Sequence, residues 1–222
     1  MHFTLKKLEF VRNKINEIII AKQLKTEPKI IVITKTFSAE KITPLLKYGH
    51  IHYGENKIQE AEKKWKELNQ KFNNHKLHMV GKLQSNKAKK AVEIFDYIHS
   101  LDNEKLASKI SQYQEELNKK IKLFIQINLA DENHKSGLSI NNLKNFYSYC
   151  VNDLSLNVVG FMCLPPINVN PEKYFKQLNK ISKDFNLNEL SMGMSSDFES
   201  AIMNGSTFLR LGTIIMGNRN SI

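Results

Sequence analysis

The sequence predicts an α/β protein built as a (β/α)8 barrel with one extra helix at its N-terminus. Eight short runs rich in β-forming residues alternate with longer polar stretches that carry apolar residues at helical spacing. This alternation is typical of a parallel sheet covered by helices. The chain of 222 residues, 41% of them hydrophobic, is long enough for one compact barrel. An open doubly wound sheet is the alternative that the same alternation allows.

The predicted elements follow one another without a long Pro-, Gly- or Ser-rich linker, so we expect a single domain over residues 1–222. An amphipathic first helix covers residues 5–21. The predicted strands are residues 30–34, 51–53, 77–80, 97–99, 123–128, 158–162, 189–191 and 207–211. The predicted helices that follow are residues 39–48, 57–72, 85–94, 104–118, 140–150, 171–185 and 197–204.

Several of these helices carry start signals. Asp102 and Ser139 are predicted N-caps, because short polar side chains accept hydrogen bonds from the first N–H groups of a helix. The string Ser196-Asp197-Phe198-Glu199 matches the capping-box pattern.

Composition excludes several classes of protein. The two cysteines, Cys150 and Cys163, form neither a C-x-x-C pair nor a disulfide framework, which favours a reducing cytoplasm. The seven histidines are scattered without the spacing of a metal site, so no metal is expected. The N-terminal segment mixes charges with apolar residues and lacks the apolar run of a signal peptide or membrane span. We therefore expect a cytoplasmic protein that does not associate with a membrane.

The formal charge of +11 raises the alternative of nucleic-acid binding, because clustered lysines and arginines attract phosphate backbones. The lysines are instead spread over nearly every predicted helix, as in the pairs at 63–64, 89–90 and 119–120. We interpret them as solvated helix faces and expect no specific nucleic-acid partner.

In a barrel, functional groups follow the C-terminal ends of the strands. The first strand, IIVITKT, places the amine of Lys35 at the mouth beside low-dielectric walls. Desolvation lowers the pKa of a lysine at such a position, and a neutral amine can attack an aldehyde to form a Schiff base. By position alone, a lysine that only marks a strand end is the more frequent case.

The loops after the seventh and eighth strands have the composition of a phosphate site. In SMGMSSDFESA, Ser195 and Ser196 precede a helix start, where exposed N–H groups and hydroxyls can hold a phosphate. TFLRLGT brings Arg210, Gly212 and Thr213 beside that loop in the expected barrel. Taken singly, each loop could be only a helix cap and a turn.

Asn56 follows the second strand in the string GEN. It could contact a ligand or cap the helix that follows it. The string KLQSNK after the third strand adds polar groups near the mouth, whereas Lys87 and Lys89 are expected on a helix surface.

These strings together resemble the pyridoxal phosphate homeostasis family, which shares its barrel with the N-terminal domain of alanine racemase. The resemblance covers most of the chain, and the order and spacing of the motifs make it specific. The motifs are VITKT at 32–36, YGENKIQEA at 53–61, HMVGKLQSNK at 78–87, IHSLD at 98–102, HKSGL at 134–138, GFMCLPP at 160–166, LSMGMSSDFESAI at 190–202 and RLGTIIMG at 210–217. The resemblance implies that Lys35 binds pyridoxal 5′-phosphate as a Schiff base. By the same resemblance Ser195, Gly212 and Thr213 would hold its phosphate, Arg210 would face the pyridine nitrogen, and Asn56 would contact the ring.

An arginine at the pyridine nitrogen can only donate, so the ring would be a poor electron sink for carbanion chemistry. The chain ends at Ile222, which leaves no length for the additional domain that alanine racemase uses. The expected function is therefore to bind the cofactor and keep it available to other proteins. Apo-enzymes that depend on the cofactor are the expected partners.

Two alternatives to this function are an amino-acid racemase with a reduced site and a barrel enzyme that acts on phosphorylated metabolites. A monomer is expected, since no second domain is needed across an interface.

Overall fold

The computed structural model describes residues 1–132 and 136–218. His134 and Lys135, which belong to the string HKSGL, lie outside the described residues. The strands are β1 Lys29–Ile33, β2 His52–Glu55, β3 Lys76–Met79, β4 Tyr97–Leu101, β5 Lys122–Ile127, β6 Val158–Cys163, β7 Glu189–Ser191 and β8 Phe208–Leu211. The helices are α1 Phe3–Lys22, α2 Ala39–Lys47, α3 Ile58–Asn69, α4 Ala88–Ile94, α5 Glu104–Glu116, α6 Leu143–Ser148, α7 Glu172–Asp184, α8 Phe198–Met203 and α9 Thr213–Met216.

The strands form a closed barrel in sequence order, and every neighbouring pair is parallel. Pairing of Ile31 with Arg210 and of Val32 with Leu211 joins β1 to β8 and closes the sheet. The predicted barrel with an extra N-terminal helix is therefore confirmed, and the open doubly wound sheet is wrong. Closure requires the alternation of side chains along each strand to separate an interior from a helix-facing surface.

Two groups of buried apolar side chains follow from that alternation. The interior group consists of Ile31, Ile33, Tyr97, Phe124, Met162 and Phe208. The larger group lies between the strands and the surrounding helices; α1, for example, contributes Leu8, Val11 and Ile15. Because the interior group fills the barrel, ligand groups can approach only from its ends.

The predicted helix over 140–150 is divided in the structure. A 3-10 turn, Ile140–Asn142, precedes α6, and a π-helical turn, Tyr149–Asp153, follows it. Ser139 precedes the 3-10 turn but makes no capping hydrogen bond through its side chain. The predicted N-cap position of Ser139 is therefore confirmed, but without a capping hydrogen bond from its side chain.

Two other predicted caps are displaced by one residue. The N-cap of α5 is Asn103, whose side chain accepts from Leu106 N at 2.9 Å, while Asp102 accepts from Gly137 N at 3.3 Å. Likewise Asp197, not Ser196, precedes α8, and its Oδ1 accepts from Met194 N at 2.5 Å without capping the helix. Both carboxylates stabilise neighbouring loops instead.

Helix α9 was not predicted. It has four residues, which is too short to show a helical repeat in the sequence, and it lies against α1 and β1. A short extra helix after the eighth strand is a frequent part of phosphate sites in this fold.

Candidate functional site

Lys35 lies in the turn directly after β1 and is half-buried. The alternation that turns Ile31 and Ile33 into the barrel assigns Lys35 to the same side. Thr36, the next residue, has a φ of 68°, which is unusual for a β-branched residue. Its N–H donates to the Glu60 carboxylate. The backbone after the lysine is thus held in a sharp turn by a contact from α3.

Behind this turn lies a buried charged cluster centred on Glu55, which is fully buried. Its Oε1 accepts from Thr34 Oγ1 at 2.7 Å, Lys64 Nζ at 2.9 Å and Trp65 Nε1 at 3.1 Å. Lys64 also donates to the carbonyl oxygen of Thr34 at 2.7 Å and to Glu60 Oε1 at 3.0 Å. The residues on both sides of Lys35 are therefore tied to one ion-pair network.

The interpretation of Lys64 as a solvated surface residue is wrong. Its side chain is only 8% exposed, whereas the neighbouring Lys63 is exposed as expected. The buried face of α3 consists of Ile58, Ala61, Trp65 and Leu68, and position 64 is three residues after Ala61 and four before Leu68. This spacing places Lys64 at the edge of the buried face of α3, and it is the feature of the sequence that could have predicted the burial of Lys64.

The loops after β7 and β8 bring N–H donors together around Ser195. Its Oγ accepts from Gly212 N at 3.3 Å and from Ile214 N at 3.4 Å. Thr213, between these two donors, is the first residue of α9. Converging N–H groups and a hydroxyl suit the oxygens of a phosphate.

Gly193 determines the backbone conformation of the loop after β7. Its φ is +93°, and a Cβ there would lie 2.6 Å from the Ala201 Cβ of α8 and 2.9 Å from Leu209 Cδ2. Only glycine satisfies both the backbone and the packing at this point. The turn at Gly193 brings the loop against β8, where Arg210 N donates to the Gly193 carbonyl oxygen at 2.9 Å.

Arg210 is 5% exposed. Its Nη1 donates to Ser191 Oγ at 2.7 Å and its Nη2 to the carbonyl oxygen of Cys163 at 2.9 Å. Burial lowers the pKa of Arg210, while the nearby Cys163 and Asp197 raise it. Since arginine loses its proton only at very high pH, the guanidinium remains a cationic donor.

Asn56 is half-buried at the end of β2 and does not cap α3, which starts at Ile58 with Lys57 as its N-cap. The Asn56 backbone contacts the position that a Cβ on Gly81 would occupy, so the exits of β2 and β3 approach closely only because residue 81 is glycine. Asn56 also lines a cavity of about 360 Å³ together with Lys82 and Lys87.

The strand order places the sequence-predicted residues on adjacent exits. Lys35 follows β1, which pairs with β8 on one side and β2 on the other. Gly212 and Thr213 follow β8, and Asn56 follows β2. Ser195 follows β7, the other neighbour of β8. A second cavity, of about 710 Å³, opens between the loop after β6 and the loop that carries Ser195.

Sequence reasoning missed a row of histidines inside the barrel. His52 Nδ1 lies 2.9 Å from His78 Nε2, and His78 Nδ1 lies 2.9 Å from His99 Nε2. His99 Nδ1 in turn lies 2.8 Å from Ser191 Oγ, the group to which Arg210 donates. These histidines are scattered in sequence but occupy inward positions on β2, β3 and β4, and strand alternation was the available signal.

Burial lowers the pKa of these histidines, to about 4 for His52 and well below the usual value for His78 and His99. The neighbouring Arg210 lowers that of His99 further. The row is therefore neutral at physiological pH. In the part of the chain that the structure describes, no group of His, Cys, Asp and Glu side chains converges as metal ligands would.

The two thiols are inert. Cys150 and Cys163 are buried and free, and burial raises the pKa of each to about 12. Neither is a nucleophile at physiological pH. Among the described residues, no helix is long and apolar enough to cross a bilayer.

The closed barrel, a lysine after its first strand and a cradle of N–H donors after its last two strands define an alanine racemase-type barrel. The family model for the alanine racemase N-terminal domain matches residues 12–220. An alanine racemase of Clostridium difficile 630 shares this fold with a TM-score of 0.69 at 16% identity, covering 98% of this chain and 58% of that chain.

Closer similarity comes from a narrower group. The pyridoxal phosphate homeostasis protein of Aquifex aeolicus (strain VF5) is 36% identical over 200 residues, covering 86% of this chain and 87% of that protein. PipY of Synechococcus elongatus PCC7942, solved with PLP bound, has a TM-score of 0.80 at 32% identity, covering 91% of this chain and all of that chain (100%). The chain belongs to the pyridoxal phosphate homeostasis protein family.

Proposed function

We propose that this protein binds pyridoxal 5′-phosphate and keeps it available to other enzymes. The observation that carries the proposal is a lysine after β1 together with N–H groups that converge on Ser195 Oγ after β8, the strand paired with β1. When bound, pyridoxal phosphate supplies an aldehyde that condenses reversibly with a primary amine, with loss of one water. The likeness to PipY, which was solved with PLP bound, supports the same ligand.

The residues at the mouth fit this cofactor in chemical type. Lys35 is the amine that would hold the aldehyde carbon. Ser195, Gly212 and Thr213 would hold the phosphate, because Ser195 Oγ already occupies a point where two backbone N–H groups converge. Asn56 would contact the ring from the β2 exit. In each case the chain supplies a donor or a nucleophile of the kind that the cofactor's groups require.

Arg210 would lie at the pyridine nitrogen and favour storage over catalysis. A permanently protonated guanidinium donates to that nitrogen and leaves it unprotonated, so the ring withdraws electrons weakly. Reversible attachment of the aldehyde needs no such withdrawal. With Arg210 in this role, the protein would bind and exchange the cofactor without using it for carbanion chemistry.

The remaining assignments are parts of the same proposal. We assign residues 1–222 to a single domain, because the larger buried cluster extends from α1 to α9 without interruption. A reducing cytoplasm fits the buried, free thiols. We assign a monomer because the proposed site needs no second domain across an interface. Apo-enzymes that need the cofactor are the proposed recipients, and nucleic acid is not a proposed partner.

The test mixes purified protein with pyridoxal phosphate and follows absorbance, borohydride reduction and peptide mapping. We expect a covalent adduct on Lys35 that is lost in Lys35→Ala and kept in Lys87→Ala, a matched exposed lysine at the same end of the barrel. Circular dichroism should show both variants folded, since Lys35 is outside the packed interior.

Absence of any adduct on the wild-type protein would overturn the proposal and favour a barrel that binds the phosphate of another metabolite. Cofactor-dependent exchange of an amino-acid α-hydrogen with solvent would favour the racemase alternative.

A further inference from the structure

A continuous row of polar side chains crosses the otherwise apolar interior of the barrel. It runs from His52, which is half-buried at the N-terminal end of β2, through His78 and His99 to Ser191 and Arg210. His78, His99 and Ser191 are at most 2% exposed. Buried polar groups are costly unless they are paired, so a row of this length calls for a physical reason.

The hydrogen atoms of this row can be assigned by starting from Arg210. A guanidinium only donates, so Ser191 Oγ accepts from Arg210 Nη1. The hydroxyl hydrogen of Ser191 then has one remaining partner among the described residues, which is Nδ1 of His99. A neutral His99 that accepts at Nδ1 must carry its hydrogen on Nε2.

The same reasoning passes from ring to ring. His99 Nε2–H donates to Nδ1 of His78, which places the hydrogen of His78 on Nε2. His78 Nε2–H donates to Nδ1 of His52. Every donor in the row therefore points the same way, from Arg210 towards His52.

Aromatic packing fixes the rings in these positions. His99 stacks on Phe124 with a centroid distance of 4.3 Å and an interplanar angle of 14°. His78 stacks on Tyr97 at 4.2 Å and 11°. Rings that are stacked and bonded at both nitrogens cannot rotate to present the other nitrogen.

The charge at the buried end of the row favours a neutral ring, whereas the charges at the other end are of both signs. Arg210 faces His99 and disfavours a second cation there. At the other end, His52 is surrounded by charged side chains of both signs, namely Lys29, Lys76, Asp96 and Glu189.

We propose that Ser191 and His99, supported by His78 and His52, are positioning residues that hold Arg210 in one hydrogen-bonded orientation. The inference rests on the proposed function, in which Arg210 meets the pyridine ring of the cofactor. The Cys163 carbonyl oxygen anchors Arg210 Nη2 at 2.9 Å, but the Ser191 hydroxyl that accepts from Nη1 could still rotate if it had no other partner. The histidine row removes that freedom, because a turn of Ser191 would leave a buried nitrogen without its donor.

The first test needs no cofactor. Long-range ¹H–¹⁵N NMR correlations of the labelled wild-type protein distinguish the two neutral histidine tautomers and the imidazolium ion. At pH 7 we expect the Nε2–H tautomer for His52, His78 and His99. An Nδ1–H tautomer or an imidazolium at His78 or His99 would overturn the inference.

The second test uses variants loaded with pyridoxal phosphate. Ser191→Ala and His99→Phe should shift the absorption maximum of the bound cofactor and the pH midpoint of its spectrum. Ser191→Thr, which keeps the hydroxyl, should restore the wild-type spectrum. His99→Phe keeps the stacking partner for Phe124, and a thermal melt checks that each variant is folded.

The outcomes separate the two proposals. If the wild-type protein forms no adduct, the proposed function fails, while the NMR result still decides the hydrogen assignment. If the wild-type protein binds the cofactor and a folded Ser191→Ala has the wild-type spectrum and pH midpoint, the positioning role is wrong.

Discussion

Replacing Lys64 by methionine should destabilise the protein far more than its place on a lysine-rich helix suggests. Lys64→Met leaves the fully buried Glu55 carboxylate without its cation and removes the donor to the Thr34 carbonyl oxygen. Removing one partner of a buried ion pair costs about 3–5 kcal/mol. Relative to a typical total stability of about 5–15 kcal/mol, this is a large fraction.

Glu55→Gln should cost less, about 1–3 kcal/mol. The reason is an asymmetry in the cluster: after Glu55→Gln, Lys64 keeps its ion pair with Glu60 at 3.0 Å, whereas after Lys64→Met the buried Glu55 carboxylate loses the ion pair that Lys64 made at 2.9 Å. The double variant should cost less than the two single changes together, because the buried charge and its missing partner disappear at once.

The assay is urea unfolding of the wild-type protein, the two single variants and the double variant. Lys63→Met is the matched control, since Lys63 is the exposed neighbour on the same helix, and its effect should stay within about 0.5 kcal/mol. Equal effects of Lys63→Met and Lys64→Met, or strictly additive costs in the cycle, would refute the reasoning.

Three further predictions concern the mouth of the barrel and its N-terminal end. Arg210→Gln should alter the spectrum of the bound cofactor more than its affinity, because Arg210 is assigned to the ring and not to the phosphate; a large loss of affinity with an unchanged spectrum would reverse that assignment. Gly193→Ala should lower the free energy of unfolding by about 1–3 kcal/mol, since alanine would have to adopt a φ of +93° beside Ala201. Gly212→Ala, whose Cβ would lie an ordinary 3.5 Å from Ile33 Cβ, is the control and should cost less in the same denaturation experiment. His50 has a pKa lowered by burial to about 4, so the unfolded chain binds its proton more tightly, and stability should fall as the pH drops from 6.5 towards 4. His50→Gln should reduce this loss by up to about 3 kcal/mol when unfolding is compared between pH 7 and pH 4, and an identical pH dependence in both proteins would contradict the reasoning.

The sequence was sufficient for the barrel because its alternation of strands and helices is regular, and each predicted strand overlaps an observed one. The prediction of Lys35 and Ser195 as site residues rests on their places in the loops after β1 and β7, because this fold carries function at the strand exits. The predictions that were wrong concern helix caps, where neighbouring polar residues compete for the same position. Asn103, not Asp102, caps α5, since the carboxylate of Asp102 is engaged by Gly137.

The buried polar groups could not be predicted as a set. Glu55 and Lys64 look like ordinary surface residues until α3 is folded against β2, and only then do they meet inside the protein. The same holds for His78 and His99, which are separated by 21 positions and joined only by the register of β3 with β4. Sequence indicates which side of an element a residue occupies, but tertiary packing decides which partner lies there.

The pairing of β1 with β8 has a consequence for synthesis on the ribosome. Lys35 emerges well before Gly212 and Thr213, and the exits that carry them become neighbours only when β8 joins β1. An incomplete chain would carry the amine without the proposed phosphate cradle and could not retain the aldehyde selectively. Capture of the cofactor would therefore begin only with a complete barrel, and ligand retention would report that the nascent protein had finished folding.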